Sequence, residues 1–198
     1  MPKILIQNNI SLAPLSNFKI GGPAEFFVEI KKKDELKEAR SWARKNNKIF
    51  FILGGGSNLL INGKGVSGLV IKLANDEIIL KGNRMECGAG ALLSKIAGLA
   101  GSQNLTGMEW SIGIPRATLG GAIRGNAEAF NVAMSDAVET VEAFNTLKSK
   151  FQILSKGDCQ FSYRSSLFKE KKEYIIWSAV LKLKKGDKEE IKNINDSK

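Results

Sequence analysis

The chain has 198 residues, 43% hydrophobic and 25% charged, proportions that suit a globular protein of one domain or two small lobes with a real core. Thirty basic against twenty acidic residues give a net charge of +10, which suits a phosphate-bearing ligand or nucleic acid, while the lack of any histidine all but excludes a zinc site or a histidine-based triad. No run approaches the roughly 20 apolar residues that span a bilayer, and the start, MPKILIQNNISLAP, has no long apolar segment with a small-residue cleavage site, so the reading is cytoplasmic with no membrane partner.

Residues Glu25 to Lys31, EFFVEIK, alternate partly and carry β-branched and aromatic side chains, which predicts a strand. Asp34 then stands where it can cap a helix whose Leu36, Ala39 and Ala43 share a face, closed by Asn46 and Asn47. A strand at KIFFIL, the glycine run and a strand at Leu69 to Leu73 complete a βαββ lobe over residues 1–74. From Asn75 the pattern changes: EIILKGNRMECGAG predicts a hairpin turned at Lys81 to Arg84, followed by a helix at ALLSKIAGLAGSQ with Leu92, Leu93, Ile96 and Ala100 on its apolar face. GIPRATLGGAIRGNAEAF reads as a glycine-rich loop. Strands follow at VEAFN and FQILS, joined by KSK, and in the clear alternation from Tyr174 to Leu183. Residues 75–186 thus form a second lobe, and 187–198 read as a linker or the start of a helix. Neither Cys87 nor Cys159 fits a metal spacing, so both are expected as unpaired thiols.

Three motifs stand out. Gly54, Gly55 and Gly56 with Ser57, Asn58 and Leu59 sit between two apolar runs, where bare backbone is entropically expensive unless something requires it. A nest of N–H groups around a phosphate would require it, and a plain turn needs fewer glycines. The loop is no Walker motif, having no Lys-Ser/Thr, and no dinucleotide fingerprint, since Leu59 stands at the third glycine. The second loop brings Gly113, Ile114, Pro115, Gly120, Gly121, Ala122, Arg124 and Asn126 within fourteen residues, flexible backbone with a cation and an amide suited to a diphosphate; its alternative is a surface Ω-loop. In FSYRSSLFK, Tyr163 and Arg164 are a phenol and a permanent cation that can hold a carboxylate, unless Arg164 pairs with Glu170 or Glu173. Lysines elsewhere, as in IKKKDELK and KEKKE, mix with acids and lack interleaved aromatics, so they read as solvated faces and not as a nucleic-acid surface.

In this order, NFKIGGPAEFFVEI, FILGGGSNLLI, GMEWSIGIPRATLGGAIRGNAEAF and CQFSYRSSLFK resemble the UDP-N-acetylenolpyruvoylglucosamine reductases, also called UDP-N-acetylmuramate dehydrogenases, from about Ser16 to Leu183. The resemblance implies an α+β, two-lobe FAD-binding fold of the vanillyl-alcohol-oxidase-like (PCMH-type) flavoproteins. It implies an enzyme of peptidoglycan precursor synthesis in which NADPH reduces FAD and the flavin reduces the enolpyruvyl ether of a UDP-sugar. It places the two glycine loops at the FAD phosphates, Tyr163 at the substrate, and Arg164 as the active-site arginine that polarises the enolpyruvyl carboxylate. It calls for no metal and no obligate protein partner.

Two departures qualify it. The family's third domain, with its proton-donating serine and a late glutamate, has no counterpart before Lys198, so the expectation is a chain that binds FAD and turns over the UDP-sugar poorly or not at all. Arg116 and Glu128 stand where the family pattern has glycine. The rival readings are a non-catalytic flavin-binding module, an oxidase of the same two-lobe fold, and a basic nucleic-acid binder; YRSSLFK argues against the oxidases.

Overall fold

The computed structural model describes residues 4–186, and the linker expected at 187–198 lies outside them. The first sheet contains β1 (Gln7–Ser11), β2 (Pro23–Ile30), β3 (Phe50–Leu53) and β4 (Val66–Leu73) in the order β1-β2-β4-β3. β4 runs parallel to both β2 and β3, whereas β1 is antiparallel to β2. Because β2 and β3 point the same way, the chain needs a crossover between them, and helix α1 (Lys33–Lys45) supplies it. Its Leu36, Ala39 and Ala43 are buried, the apolar face expected from their spacing. The cap differs from expectation: Asp34 lies inside the first turn, bonded to Lys37, and the Glu35 carboxylate instead accepts the Lys31 and Lys32 N–H groups at 2.7 and 3.0 Å. β1 escaped the sequence reading because four of its five residues, QNNIS, are exposed and give no alternation.

The second sheet is built from β5 (Ile78–Lys81), β6 (Arg84–Gly88), β10 (Val138–Asn145), β11 (Lys150–Ser155) and β12 (Tyr174–Lys182), ordered β11-β10-β12-β6-β5 and antiparallel throughout. Between β6 and β10 run α2 (Leu93–Ser102), β7 (Leu105–Thr106), α3 (Leu119–Gly125), the short pair β8 (Glu128–Ala129) and β9 (Val132–Ala133), and α4 (Met134–Ala137). α5 (Leu167–Glu170) precedes β12, and β13 (Lys184–Lys185) pairs with β7.

α3 corrects the reading of residues 113–130 as one loop. Its Leu119, Ala122 and Ile123 repeat at helical spacing and are buried, and that burial overrides the low helix propensity of its glycines. Gly120 is admitted for packing, since a Cβ there would stand 3.0 Å from the Ala89 methyl.

Strands before and after Asn75 belong to different sheets, yet one hydrophobic cluster runs through both, from Val28, Ile30, Leu36 and Ile71 to Met85, Val141, Phe144 and Trp177. α1 lies between the sheets: Lys33 pairs with Glu142 of β10, and the Lys33 and Lys37 ammonium groups stand 5.0 and 5.8 Å from the Phe151 ring of β11. A smaller cluster of Leu12, Ala24, Phe27, Leu53 and Val70 completes the core of the first sheet.

Candidate functional site

The glycine run follows β3, at the carboxyl end of a strand parallel to its neighbour, which is where open sheets of this kind bind ligands. It is packed from two sides. A Cβ on Gly55 would stand 1.6 Å from the carbonyl oxygen of Arg116, and one on Gly56 2.1 Å from that of Leu15. Neither position admits a side chain, and Gly56 also holds φ at +69°, so two of the three glycines are explained by close approach of backbone. Across these contacts, the Gly55 N–H donates to Thr118 Oγ1 at 3.3 Å, Arg116 Nε donates to the Gly55 carbonyl at 3.0 Å, and the Asn17 N–H donates to the Gly56 carbonyl at 2.9 Å. Segments 15–17, 54–58 and 116–118, far apart in sequence, meet here.

What the loop leaves open is as informative as what it closes. The N–H groups of Gly56, Ser57 and Asn58 have no acceptor among the described residues. Three successive free donors beside a cation form a nest for an anion. Leu59, 44% exposed, and Leu60, 77% exposed, follow immediately and offer apolar surface for an aromatic ring system. A phosphate-bearing dinucleotide fits this donor set.

The second loop is mixed. Gly113 and Pro115 are exposed, Ile114 is half-buried, and a Cβ on Gly113 would meet nothing within 4 Å. Gly121 is exposed, with ordinary clearance to Thr118. The first N–H groups of α3 are less available: Leu119 donates to Ala91 and Gly120 to Ala89, at 2.9 and 2.8 Å. Ala122 is buried in the main core, so its side chain is engaged within the protein. Arg124 is exposed on the last turn, and its guanidinium makes no bond to a described residue.

Asn126 ends α3 in the left-handed conformation, φ +40°, the position where asparagine replaces glycine most readily. Its amide does not lie free for a diphosphate, as the sequence suggested. Nδ2 donates to the Ser162 carbonyl at 3.0 Å, and Oδ1 accepts the Ser135 N–H at 3.0 Å. Asn126 is therefore a latch between the second and third motifs.

Tyr163 and Arg164 occupy the tip of a tight two-residue turn. Ser162 and Ser165 exchange backbone hydrogen bonds of 3.1 and 3.2 Å, and Arg164 takes φ +52° at the third position, as a type II turn demands. Tyr163 is 80% exposed. Arg164 pairs with neither Glu170 nor Glu173: Glu170 accepts the Ser165 hydroxyl at 2.6 Å, and the Arg164 guanidinium donates to the Glu128 carbonyl at 3.1 Å. Among the described residues it has no carboxylate partner. The buried Ser166 hydroxyl donates to the Arg124 carbonyl at 2.8 Å and fixes the turn to α3.

The motifs thus form one connected chain: loop 54–58 on loop 116–118, then α3, then residues 124–128 on turn 162–166. α3 has seven residues, which at 1.5 Å each sets the two ends about 10 Å apart. Anion donors stand at one end and an unpaired guanidinium at the other. Sequence reasoning missed Thr118, the Ser166 bond to α3 and the 15–17 segment as parts of this frame. Thr118 was visible as the one hydroxyl in its loop, but its partner 63 residues away was not.

Residues 24–149 match the model of a family described as FAD binding domain. The chain is 43% identical over 178 residues to a UDP-N-acetylenolpyruvoylglucosamine reductase of Caldanaerobacter subterraneus subsp. tengcongensis, covering 89% of this chain and 58% of that protein. It is 36% identical over 199 residues to one of Prochlorococcus marinus, covering 99% and 67%. The crystal structure of a UDP-N-acetylenolpyruvylglucosamine reductase from Thermus caldophilus superposes with a TM-score of 0.82 at 32% identity, over 98% of this chain and 67% of that one. Alkyldihydroxyacetonephosphate synthase, at 17% identity and a TM-score of 0.62, shares the fold. The chain spans about three fifths of the length of the first of these curated relatives.

Proposed function

The chain belongs to the UDP-N-acetylenolpyruvoylglucosamine reductase family of FAD-binding proteins, and on that premise we propose that it takes part in the NADPH-dependent reduction of UDP-N-acetylglucosamine enolpyruvate to UDP-N-acetylmuramate, a cytoplasmic step of peptidoglycan precursor synthesis. The observation that carries this reading is the connected frame itself, which holds three free N–H groups at one end of α3 and the unpaired Arg164 guanidinium at the other.

Gly56, Ser57 and Asn58 would hold the FAD diphosphate through their backbone N–H groups, with Gly113 and Gly121 leaving room for it and Arg124 adding positive charge. FAD held there would supply hydride transfer to the enolpyruvyl ether, with NADPH as the hydride source. Arg164 would bind the enolpyruvyl carboxylate, on which negative charge builds as the double bond is reduced, and a cation already fixed in place stabilises that charge without reorganising. Its backbone turn and its bond to the Glu128 carbonyl hold the guanidinium in position. Tyr163, beside it and exposed, would contact the substrate.

The test is direct. The purified 198-residue chain should carry, or take up on reconstitution, a flavin with the absorption of bound FAD; a colourless protein that cannot be reconstituted overturns the reading. Arg164→Ala should keep its FAD affinity within about twofold and abolish whatever flavin oxidation the enolpyruvyl substrate produces in the parent chain. Loss of FAD instead would make Arg164 structural.

A further inference from the structure

We infer that Arg116 is a diphosphate-binding residue of this chain, its guanidinium held on the carbonyl side of the Gly55–Gly56 peptide, next to the free N–H groups of Gly56, Ser57 and Asn58. The inference rests on the FAD-binding reading above. Arg116 holds φ at +58°, a conformation that residues other than glycine adopt rarely and that collects at sites where the side chain has work to do. Its side chain does not relieve that conformation by packing, because the residue is exposed. Nor does it find an acid: no carboxylate pairs with it among the described residues.

What fixes it is the backbone of the other loop. Arg116 Nε donates to the Gly55 carbonyl at 3.0 Å, while the Arg116 carbonyl lies against Gly55 so closely that no Cβ fits. The guanidinium is thereby anchored by one of its three nitrogens to the residue immediately before the free N–H groups. Its two terminal nitrogens make no bond to any described residue. A planar fork with two open nitrogens suits the paired oxygens of a phosphate or a carboxylate alike, and its place next to three free backbone N–H groups in an FAD-binding fold favours the diphosphate. Because one nitrogen is already tethered, less side-chain freedom is lost on binding than for a free surface arginine.

Removing this residue separates the two roles an arginine here can have. In Arg116→Gly the backbone conformation becomes unstrained while the cation is lost, and Arg116→Asn keeps a residue tolerant of positive φ without the charge. FAD is titrated into the apo forms of the parent chain and both variants at low and high salt, and the thermal midpoint of each apo form is measured. FAD should bind about ten- to a hundredfold more weakly to both variants at low salt. The salt dependence should be shallower than in the parent, since a screened charge pair has gone, and the apo midpoint of Arg116→Gly should equal or exceed the parent's. Equal affinity and equal salt dependence in parent and variants overturn the inference, and so does weaker binding accompanied by a lowered apo midpoint in both variants, which would make Arg116 a structural tie. A parent chain that binds no FAD overturns the functional reading itself.

Discussion

A single methyl group is enough to test whether the two glycine loops belong together. Added at Gly55, it would occupy the space of the Arg116 carbonyl, 1.6 Å away, and backbone cannot yield there as a flexible side-chain tip can. Gly55→Ala should therefore force loops 54–58 and 116–118 apart, destabilising the protein by about 1–3 kcal/mol in denaturant unfolding and weakening FAD retention together. An alanine variant with the parent's stability and FAD affinity would show that the loops do not meet. At this scale the sequence was legible in part. Three glycines between apolar runs announced that bare backbone was needed, but Gly55 and Gly56 turn out to be bare for the sake of Arg116 and Leu15, with the anion donors as the by-product. The same limit applies to Asn126, whose residue type suits a ligand contact and a helix cap equally well.

At the scale of elements, α3 is the part that turns separate motifs into a site. The segment leading into it sets Arg116 and the N-cap Thr118 against the glycine loop, and its other end sets the C-cap Asn126 and the Arg124 carbonyl against the turn bearing Arg164. Asn126→Ala would remove both amide bonds and place a Cβ-bearing residue without a compensating amide at φ +40°, so a loss of about 2–3 kcal/mol in stability is expected. Because the latch lies at the arginine end, substrate-dependent flavin oxidation should fall more than FAD affinity does; equal losses in both would show that the latch does not act selectively on that end. The helix was hidden in the sequence by Gly120, Gly121 and Gly125, whose propensity argues for a loop. Leu119, Ala122 and Ile123 carried the true signal, a buried face only two turns long. The strands of the second sheet were easier: residues 78–88 follow a period of two, and β12 is a long apolar stretch whose alternation holds from Trp177 onward, although Ile175, Ile176 and Trp177 are buried in succession.

For the whole molecule, the question is whether two sheets behave as one unit. The main core runs through both, and α1 links them through Lys33 to Glu142, so a single cooperative unfolding transition is expected. Two buried thiols, both on the side of the second sheet, report its opening: desolvation pushes Cys87 up to about 12 and Cys159 up to about 11, so neither should react with alkylating reagents at pH 8 before that sheet unfolds. A raised thiol pKa favours the folded state below the ordinary value of 9.0, and that contribution is lost as pH rises through about 11 to 12. Hydrogen exchange of the β1–β4 amides at a denaturant concentration where both thiols stay unreactive would show that the sheets unfold separately. The sequence by itself determined the α+β class, the strands and helices with long regular periods, the four ordered motifs and hence the family, because these depend on local spacing and residue type. Tertiary structure alone decided that Thr118 and Arg116 hold Gly55, that Asn126 is a latch, and that Arg164 faces no acid. Those outcomes depend on which backbone groups arrive beside each other after residues tens of positions apart have packed, and no local pattern records that.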